Sequence, residues 1–231
     1  MSRTGPLDVE AVLWDIGGVL LDLESVRAGH EAFLAWLVDT HDLGSVEEAV
    51  ESWRATVGEH FRSRDGTSFR PAREGYHRAV ETLLGRSVDR QAWQPRFRRV
   101  LRDHLRPNAG AVETVERLAA TDRHQGVLSD VDADEGRFIL DHLGVLDRLD
   151  AVTTSEAVGW TKPNPAMFEA ALDRAGVPPD RAAMIGDRYR HDMAGANALG
   201  IRTVAYGAAD GPAVDHRVDD LRELLVLLGV E

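Results

Sequence analysis

Short apolar runs recur along the chain, each closed by a polar residue or a glycine. Ala11-Val12-Leu13-Trp14 ends at Asp15, and Gly126-Val127-Leu128 ends at Ser129. Ala151-Val152 is a weaker run. Ala182-Ala183-Met184-Ile185 ends at Gly186-Asp187, and Thr203-Val204-Ala205-Tyr206 ends at Gly207. Continuous apolar runs this short predict strands buried on both faces of a parallel sheet. Helical spacing lies between them. In 111–120, Val112, Val115, Leu118 and Ala119 share a face; in 135–143, Phe138, Ile139, His142 and Leu143 do, with Gly144 as a stop. Asn164 and Pro165 predict a helix start, Gly176 its end, and a last helix is predicted over 190–199, closing at Gly200. Strand alternating with helix predicts a doubly wound, Rossmann-like α/β core.

The first unit breaks this rhythm. The stretch between Asp15 and the second strand carries helical patterns over 24–40, 45–61, 72–84 and roughly 89–104, the second opened by a Ser45/Glu48 capping box. A helical insertion over 22–105 is the simplest account, leaving 1–21 and 106–231 as the α/β core. No internal repeat or low-complexity segment is visible.

Composition removes several function classes. The 231 residues are 43% hydrophobic and 29% charged, ordinary for a globular protein. The net charge of −12 argues against nucleic-acid binding driven by phosphate neutralisation and against a polybasic membrane anchor. Acidity with little lysine fits a high-salt cytoplasm and a GC-rich genome equally. With no cysteine there is no disulfide, thiol catalysis or zinc–thiolate site. Met1 to Glu10 holds no apolar signal core, and no apolar run approaches the roughly 20 residues that span a bilayer. A cytoplasmic protein, monomer or homodimer, is expected. Among 27 basic residues only Lys162 is lysine. Arginine is a planar fork and lysine a compact point charge, so a lone lysine marks either chance survival or a place where a fork does not fit.

Ligands of parallel α/β sheets bind outside the carboxyl ends of the strands. Asp15, Ser129 and Asp187 sit at such ends, and Lys162 follows the third strand. One aspartate after a strand is usually a helix cap. Four converging groups of these types suit phosphate and Mg²⁺. Here the chain resembles the haloacid dehalogenase (HAD) superfamily, mostly phosphatases. The resemblance rests on Asp15-Ile16-Gly17-Gly18-Val19-Leu20, on Ser129 in Val127-Leu128-Ser129-Asp130, on Lys162-Pro163-Asn164-Pro165, and on Gly186-Asp187-Arg188-Tyr189-Arg190-His191-Asp192 followed by Ala194-Gly195-Ala196. It covers almost the whole chain, and the insertion matches the family's helical cap.

The resemblance implies a Mg²⁺-dependent phosphatase acting on a small phosphorylated metabolite. Asp15 would be the nucleophile and become a phosphoaspartate. The Gly17 carbonyl, Asp15 and Asp187 would ligate Mg²⁺, with Asp192 as ligand or support. Ser129 and Asp130 would contact the phosphoryl group, and Lys162 would neutralise charge there. The family's usual acid/base aspartate, two residues after the nucleophile, is replaced by Gly17. Three readings follow: another proton donor, a restriction to good leaving groups, or a catalytically weak relative. A 2-haloacid dehalogenase also lacks that aspartate, but needs no metal and does not keep the Asp187/Asp192 pattern. A binding or regulatory protein on this scaffold is the alternative from outside enzymology. A phosphonate-cleaving member is excluded because the cap has no lysine, and a receiver domain by its length and motif order.

Other features read as structural. Asp130, Asp132 and Asp134 resemble the start of an EF-hand, but Glu135 stands where glycine is needed and Asp141 where glutamate is. They read as a loop and helix start. His191 reads as a solvent-exposed residue at a helix start rather than a proton relay. Trp36 and Trp53 read as cap packing. Arg62, Arg64, Arg70 and Arg73 flank an irregular stretch holding Asp65-Gly66-Thr67 and either meet an anionic substrate or are solvated.

Overall fold

The computed structural model describes residues 7–207 and 211–230; Met1 to Pro6, part of the N-terminal stretch read above, lie outside them. Six strands form one sheet: β1 (Ala11–Trp14), β2 (His124–Ser129), β3 (Ala151–Thr154), β4 (Ala182–Gly186), β5 (Arg202–Tyr206) and β6 (His216–Val218). Their order is β3-β2-β1-β4-β5-β6 and every pairing is parallel. This is the doubly wound α/β arrangement, with strand order reversing between β1 and β4. β1 and β4 are buried at every position, as their unbroken apolar runs require.

The chain divides into two compact units at Asp22/Leu23 and Arg106/Pro107, each boundary one residue later than the sequence reading. The core unit comprises Met1–Asp22 and Pro107–Glu231. Its register fixes the functional ends: Trp14 pairs with Val127 on one side and Ile185 on the other, and Asp15 N donates to Ile185 O. Gly126 lies against Leu13, where an added Cβ would sit 3.2 Å from its Cδ2. Met167, Phe168, Ala171 and Leu172 pack with Leu13, Leu128 and Met184 in one buried cluster.

The helical unit, Leu23–Arg106, holds α1 (Leu23–His41), α2 (Val46–Arg62), α3 (Ala72–Leu84) and α4 (Gln94–His104). The Ser45/Glu48 capping box forms in both directions at the start of α2. The fourth predicted helix is interrupted: Arg90–Ala92 is a 3₁₀ turn, and α4 begins only after Trp93. Phe33, Trp53, Tyr76, Trp93 and Phe97 interlock with His30 as the unit's own core. Trp53 stacks on Tyr76 with centroids 5.2 Å apart, and Phe33 meets Phe97 edge-on at 5.0 Å. Trp53 is therefore packing, while Trp36 carries the Arg96 guanidinium over its ring. Arg70 donates to His60 O and Ser63 Oγ, and Arg62 pairs with Glu59, so both are tied within the unit. A recess of about 280 Å³ is lined by Arg27, His30, Trp53, Arg54 and Tyr76 among others.

The core's remaining helices are α5 (Ala111–Leu118), α6 (Ala133–His142), α7 (Ser155–Val158), α8 (Pro165–Ala175), α9 (Ala194–Ala198) and α10 (Glu223–Leu227). The Asn164 side chain caps α8 through Ala166 N, and Gly176 ends it in the left-handed region. The helix expected over 190–199 is instead a π-helical turn, Tyr189–Met193, running into the short α9. Among the described residues no helix is long and apolar enough to cross a membrane.

Candidate functional site

The sheet brings the candidate residues to one edge because each follows the carboxyl end of a strand flanking the reversal point. Asp15 follows β1, Ser129 ends β2 and Asp187 follows β4. Asp15 is almost fully buried. Its Oδ1 accepts from Ile16 N and Ser129 Oγ, each at 2.8 Å. Its Oδ2 faces Lys162 Nζ at 3.0 Å. One oxygen is thus held by neutral donors and the other by a cation.

Lys162 is the surprise of burial, a lysine with 0% exposure. Its ammonium touches Asp15 Oδ2, Asp192 Oδ1 at 2.7 Å and the Leu128 carbonyl at 3.0 Å. Burial alone would push the ammonium toward neutrality, but the fields of Asp15, Asp192 and Asp130 outweigh it and hold Lys162 above its ordinary value. Its backbone is fixed too, since Lys162 N donates to Asp130 Oδ1 at 2.8 Å.

Asp130 therefore organises the loop. Its carboxylate takes Lys162 N on one oxygen and Arg188 Nη2, 3.1 Å away, on the other. Both oxygens of the Asp130 side chain are thus engaged within the protein. Asp192 is similarly occupied: Oδ1 meets Lys162, and Oδ2 accepts from Arg188 N at 2.9 Å. Gly186 makes room for it, because a Cβ there would lie 2.3 Å from Asp192 Cβ.

Asp187 differs. Its Oδ1 is buried with no hydrogen-bond partner among the described residues. Burial, then the nearby charges of Asp15 and Asp192, raise its pKa to about 6. Gly18 adopts φ +80°, and a Cβ at that position would come 2.2 Å from Asp187 Oδ2. Glycine is thus required both by the backbone and by the carboxylate beside it. The neighbouring turn uses Ile16 O and Gly18 N to bond Leu21, which leaves the Gly17 carbonyl out of that pair.

One oxygen each from Asp15, Asp187 and Asp192 lies within 4.8 Å of the others, a spacing that suits a metal ion. Charge points the same way. Asp15, Asp130, Asp187 and Asp192 face two cations, Lys162 and Arg188. Four carboxylates against two cations leave a deficit that a divalent ion matches. An orphaned carboxylate oxygen and an all-oxygen donor set fit a hard cation such as Mg²⁺.

Sequence reasoning missed two parts of this site. The Leu128 carbonyl as a third partner of Lys162 carries no side-chain signal. Arg188 stood inside a motif without a role, although an arginine directly after a candidate ligand was the available clue. His191 is a correction: it is only part-exposed, its Nδ1 is buried without a hydrogen-bond partner among the described residues, and burial followed by Arg188 lowers its pKa. The Asp132 side chain makes no cap bond although Asp132 precedes α6, which fits the loop-and-helix reading of the three aspartates.

Known proteins place these residues in a family. A family model described as haloacid dehalogenase-like hydrolase matches residues 9–200. A ribulose-1,5-bisphosphate 5-phosphatase of Halopiger xanaduensis is 29% identical over 94% of this chain and 98% of its own. Haloacid dehalogenase-like hydrolase domain-containing protein 3 of Bos taurus is 39% identical, but the match spans only 39% of either chain. Among solved structures, a HAD phosphatase from Thermococcus onnurineus superposes with a TM-score of 0.73 at 25% identity, covering 96% of this chain and 99% of that one. A 2-haloacid dehalogenase from Pseudomonas syringae pv. Tomato DC3000 superposes with a TM-score of 0.71, also at 25% identity, covering 96% and 98%. The motif residues, the sheet order and the family match agree: this chain belongs to the haloacid dehalogenase-like hydrolases.

Proposed function

We propose that this hydrolase is a Mg²⁺-dependent phosphatase of small phosphate monoesters, working through a phosphoaspartate at Asp15. The observation that carries the reading is the Asp15–Asp187–Asp192 cluster, with its unpartnered Asp187 oxygen. A dehalogenase has no use for a cation site there. Similarity to a ribulose-1,5-bisphosphate phosphatase, 29% identical over 94% of this chain, supports the same choice over the dehalogenase neighbour at 25% identity.

Asp15 Oδ2 attacks phosphorus while the bond to the leaving oxygen breaks. Ser129 Oγ and Ile16 N hold Oδ1 and so fix the carboxylate plane. Lys162 balances the charge that moves between Asp15 and the phosphoryl oxygens, in a site where preorganised charge is worth most. With glycine at position 17 no carboxylic acid protonates the departing alkoxide, which takes its proton from water. A second water then attacks phosphorus, releasing inorganic phosphate and the Asp15 carboxylate. Bound at Asp15 and Asp187, with the Gly17 carbonyl as a further ligand and Asp192 in support, Mg²⁺ would supply charge neutralisation for the phosphoryl oxygens.

The test is phosphate release from an activated aryl phosphate across a Mg²⁺ titration. Turnover should rise with Mg²⁺ and vanish in EDTA. Equal turnover in EDTA, or chloride release from a 2-haloacid in place of phosphate release, contradicts the reading.

A further inference from the structure

Arg188 follows Asp187 directly and sits at the rim of the cluster, 43% exposed. Its Nη2 donates to Asp130 Oδ2 at 3.1 Å and lies 3.9 Å from Asp15 Oδ2. No other guanidinium nitrogen of Arg188 has a hydrogen-bond partner or ion pair among the described residues. The backbone beneath it is clamped: Arg188 N donates to Asp192 Oδ2 at 2.9 Å, and Arg188 O accepts from Asp192 N at 2.8 Å. A rigid loop therefore presents a guanidinium engaged by hydrogen bond at Nη2 alone, so its Nη1/Nη2 edge keeps donors to spare.

Direction gives this fork a use. Asp15 Oδ1 is occupied by Ser129 and Ile16, so Oδ2 is the oxygen open to an incoming group. Two cations lie near Oδ2, Lys162 from the buried side at 3.0 Å and Arg188 from the exposed side at 3.9 Å. A tetrahedral dianion reaching Oδ2 enters the space between them. A guanidinium fork matches the paired oxygens of such an anion, which the point charge of Lys162 does not.

We propose that Arg188 is a phosphoryl-binding residue of this chain, keeping Asp130 on one hydrogen of Nη2 and giving its other hydrogen, together with Nη1, to two non-bridging oxygens. This rests on the phosphatase reading for its meaning, but its test does not need turnover. The competing account is positional: Arg188 steers Asp130, and Asp130 steers Lys162 through its backbone N–H. In that account, loss of Arg188 and loss of the Asp130 charge have equal consequences.

Calorimetric titration of the Mg²⁺-loaded protein with inorganic phosphate separates the two. Arg188→Gln should weaken phosphate binding by about 10- to 100-fold, the worth of charge-assisted hydrogen bonds to a dianion. Asp130→Asn should weaken it by less than about threefold, because the fork remains. Arg188→Lys should fall between wild type and Arg188→Gln, since it restores charge without the fork. The proposal is overturned if Arg188→Gln binds phosphate like wild type, if the two substitutions weaken binding equally, or if wild type binds no phosphate. Phosphate binding through Arg188 without hydrolysis of any monoester would sink the phosphatase reading and leave this one standing. Hydrolysis indifferent to Arg188 would do the reverse.

Discussion

The Nζ of Lys162 meets three oxygens and no solvent: Asp15 Oδ2 at 3.0 Å, Asp192 Oδ1 at 2.7 Å and Leu128 O at 3.0 Å. A guanidinium is wider, planar and needs five partners, so it cannot take this position without displacing a carboxylate. Lys162→Arg should therefore lose kcat almost as badly as Lys162→Ala, each by about 10²-fold or more. Phosphate release by both purified variants, with circular dichroism to confirm folding, checks this. If arginine restores most of the activity, the lone lysine is an accident of composition. Removing one partner of a buried ion pair typically costs about 3–5 kcal/mol, so Lys162→Ala should also melt earlier. Gly17 makes a second prediction at this scale. Without a built-in acid, rates should fall steeply as the leaving alcohol becomes more basic. Gly17→Asp should flatten that slope, with a gain of up to about 10²-fold on poor leaving groups. A flat slope in the wild type would mean that another group already donates the proton.

Within the elements, the turn after β4 is the most tightly specified. Gly186→Ala would force its Cβ against Asp192 Cβ, an approach of 2.3 Å that no rotamer change relieves. The loop must shift, at about 1–3 kcal/mol for overpacking, and Asp187 moves with it. Both melting temperature and Mg²⁺ activation should drop; a variant with wild-type values for both would show the loop to be looser than its contacts imply. In the helical unit, His30 lies among the Trp53, Tyr76 and Phe97 rings. Burial lowers its pKa from 6.5 to about 4. Between those values the unfolded chain takes up a proton that the folded chain refuses. Stability is thus full above pH 6.5 and declines as pH falls toward 4, by at most about 3 kcal/mol from this group. Urea melts at neutral and mildly acid pH should show a smaller acid loss in His30→Phe than in wild type. Equal losses would place the acid sensitivity elsewhere. Much at this scale was legible in the sequence. β1 and β4 are runs buried at every residue, and the Ser45/Glu48 box and the Asn164-Pro165 start are local chemistry. β6 was not legible, because His216-Arg217-Val218 is an edge strand with only Val218 buried. Nor was α7, four residues held by a Thr154 cap. The π-helical turn escaped because apolar spacing does not register the local bond from Arg188 N to the Asp192 carboxylate four residues on.

Taken whole, the topology explains why distant residues meet. Asp15, Ser129, Lys162 and Asp187 are far apart in sequence, yet β1 lies between β2 and β4 and delivers them to one edge. Their residue types were legible in the chain; which oxygen each one touches was not, because that depends on register and loop geometry. The same edge concentrates four carboxylates around two cations, so the fold carries a local charge debt in the absence of a divalent ion. Mg²⁺ should accordingly raise the melting temperature of the wild type as a ligand of the native state alone. It should raise that of Asp187→Asn much less. A shift of equal size in both would move the ion away from Asp187. The central claim, that Asp15 carries the reaction, is tested most directly by measuring phosphate release at saturating Mg²⁺ for the wild type and Asp15→Asn side by side. Circular dichroism should show the same fold for both. The account predicts steady release from an activated aryl phosphate by the wild type and background release by Asp15→Asn. A substantial fraction of wild-type turnover in a folded Asp15→Asn protein would contradict it.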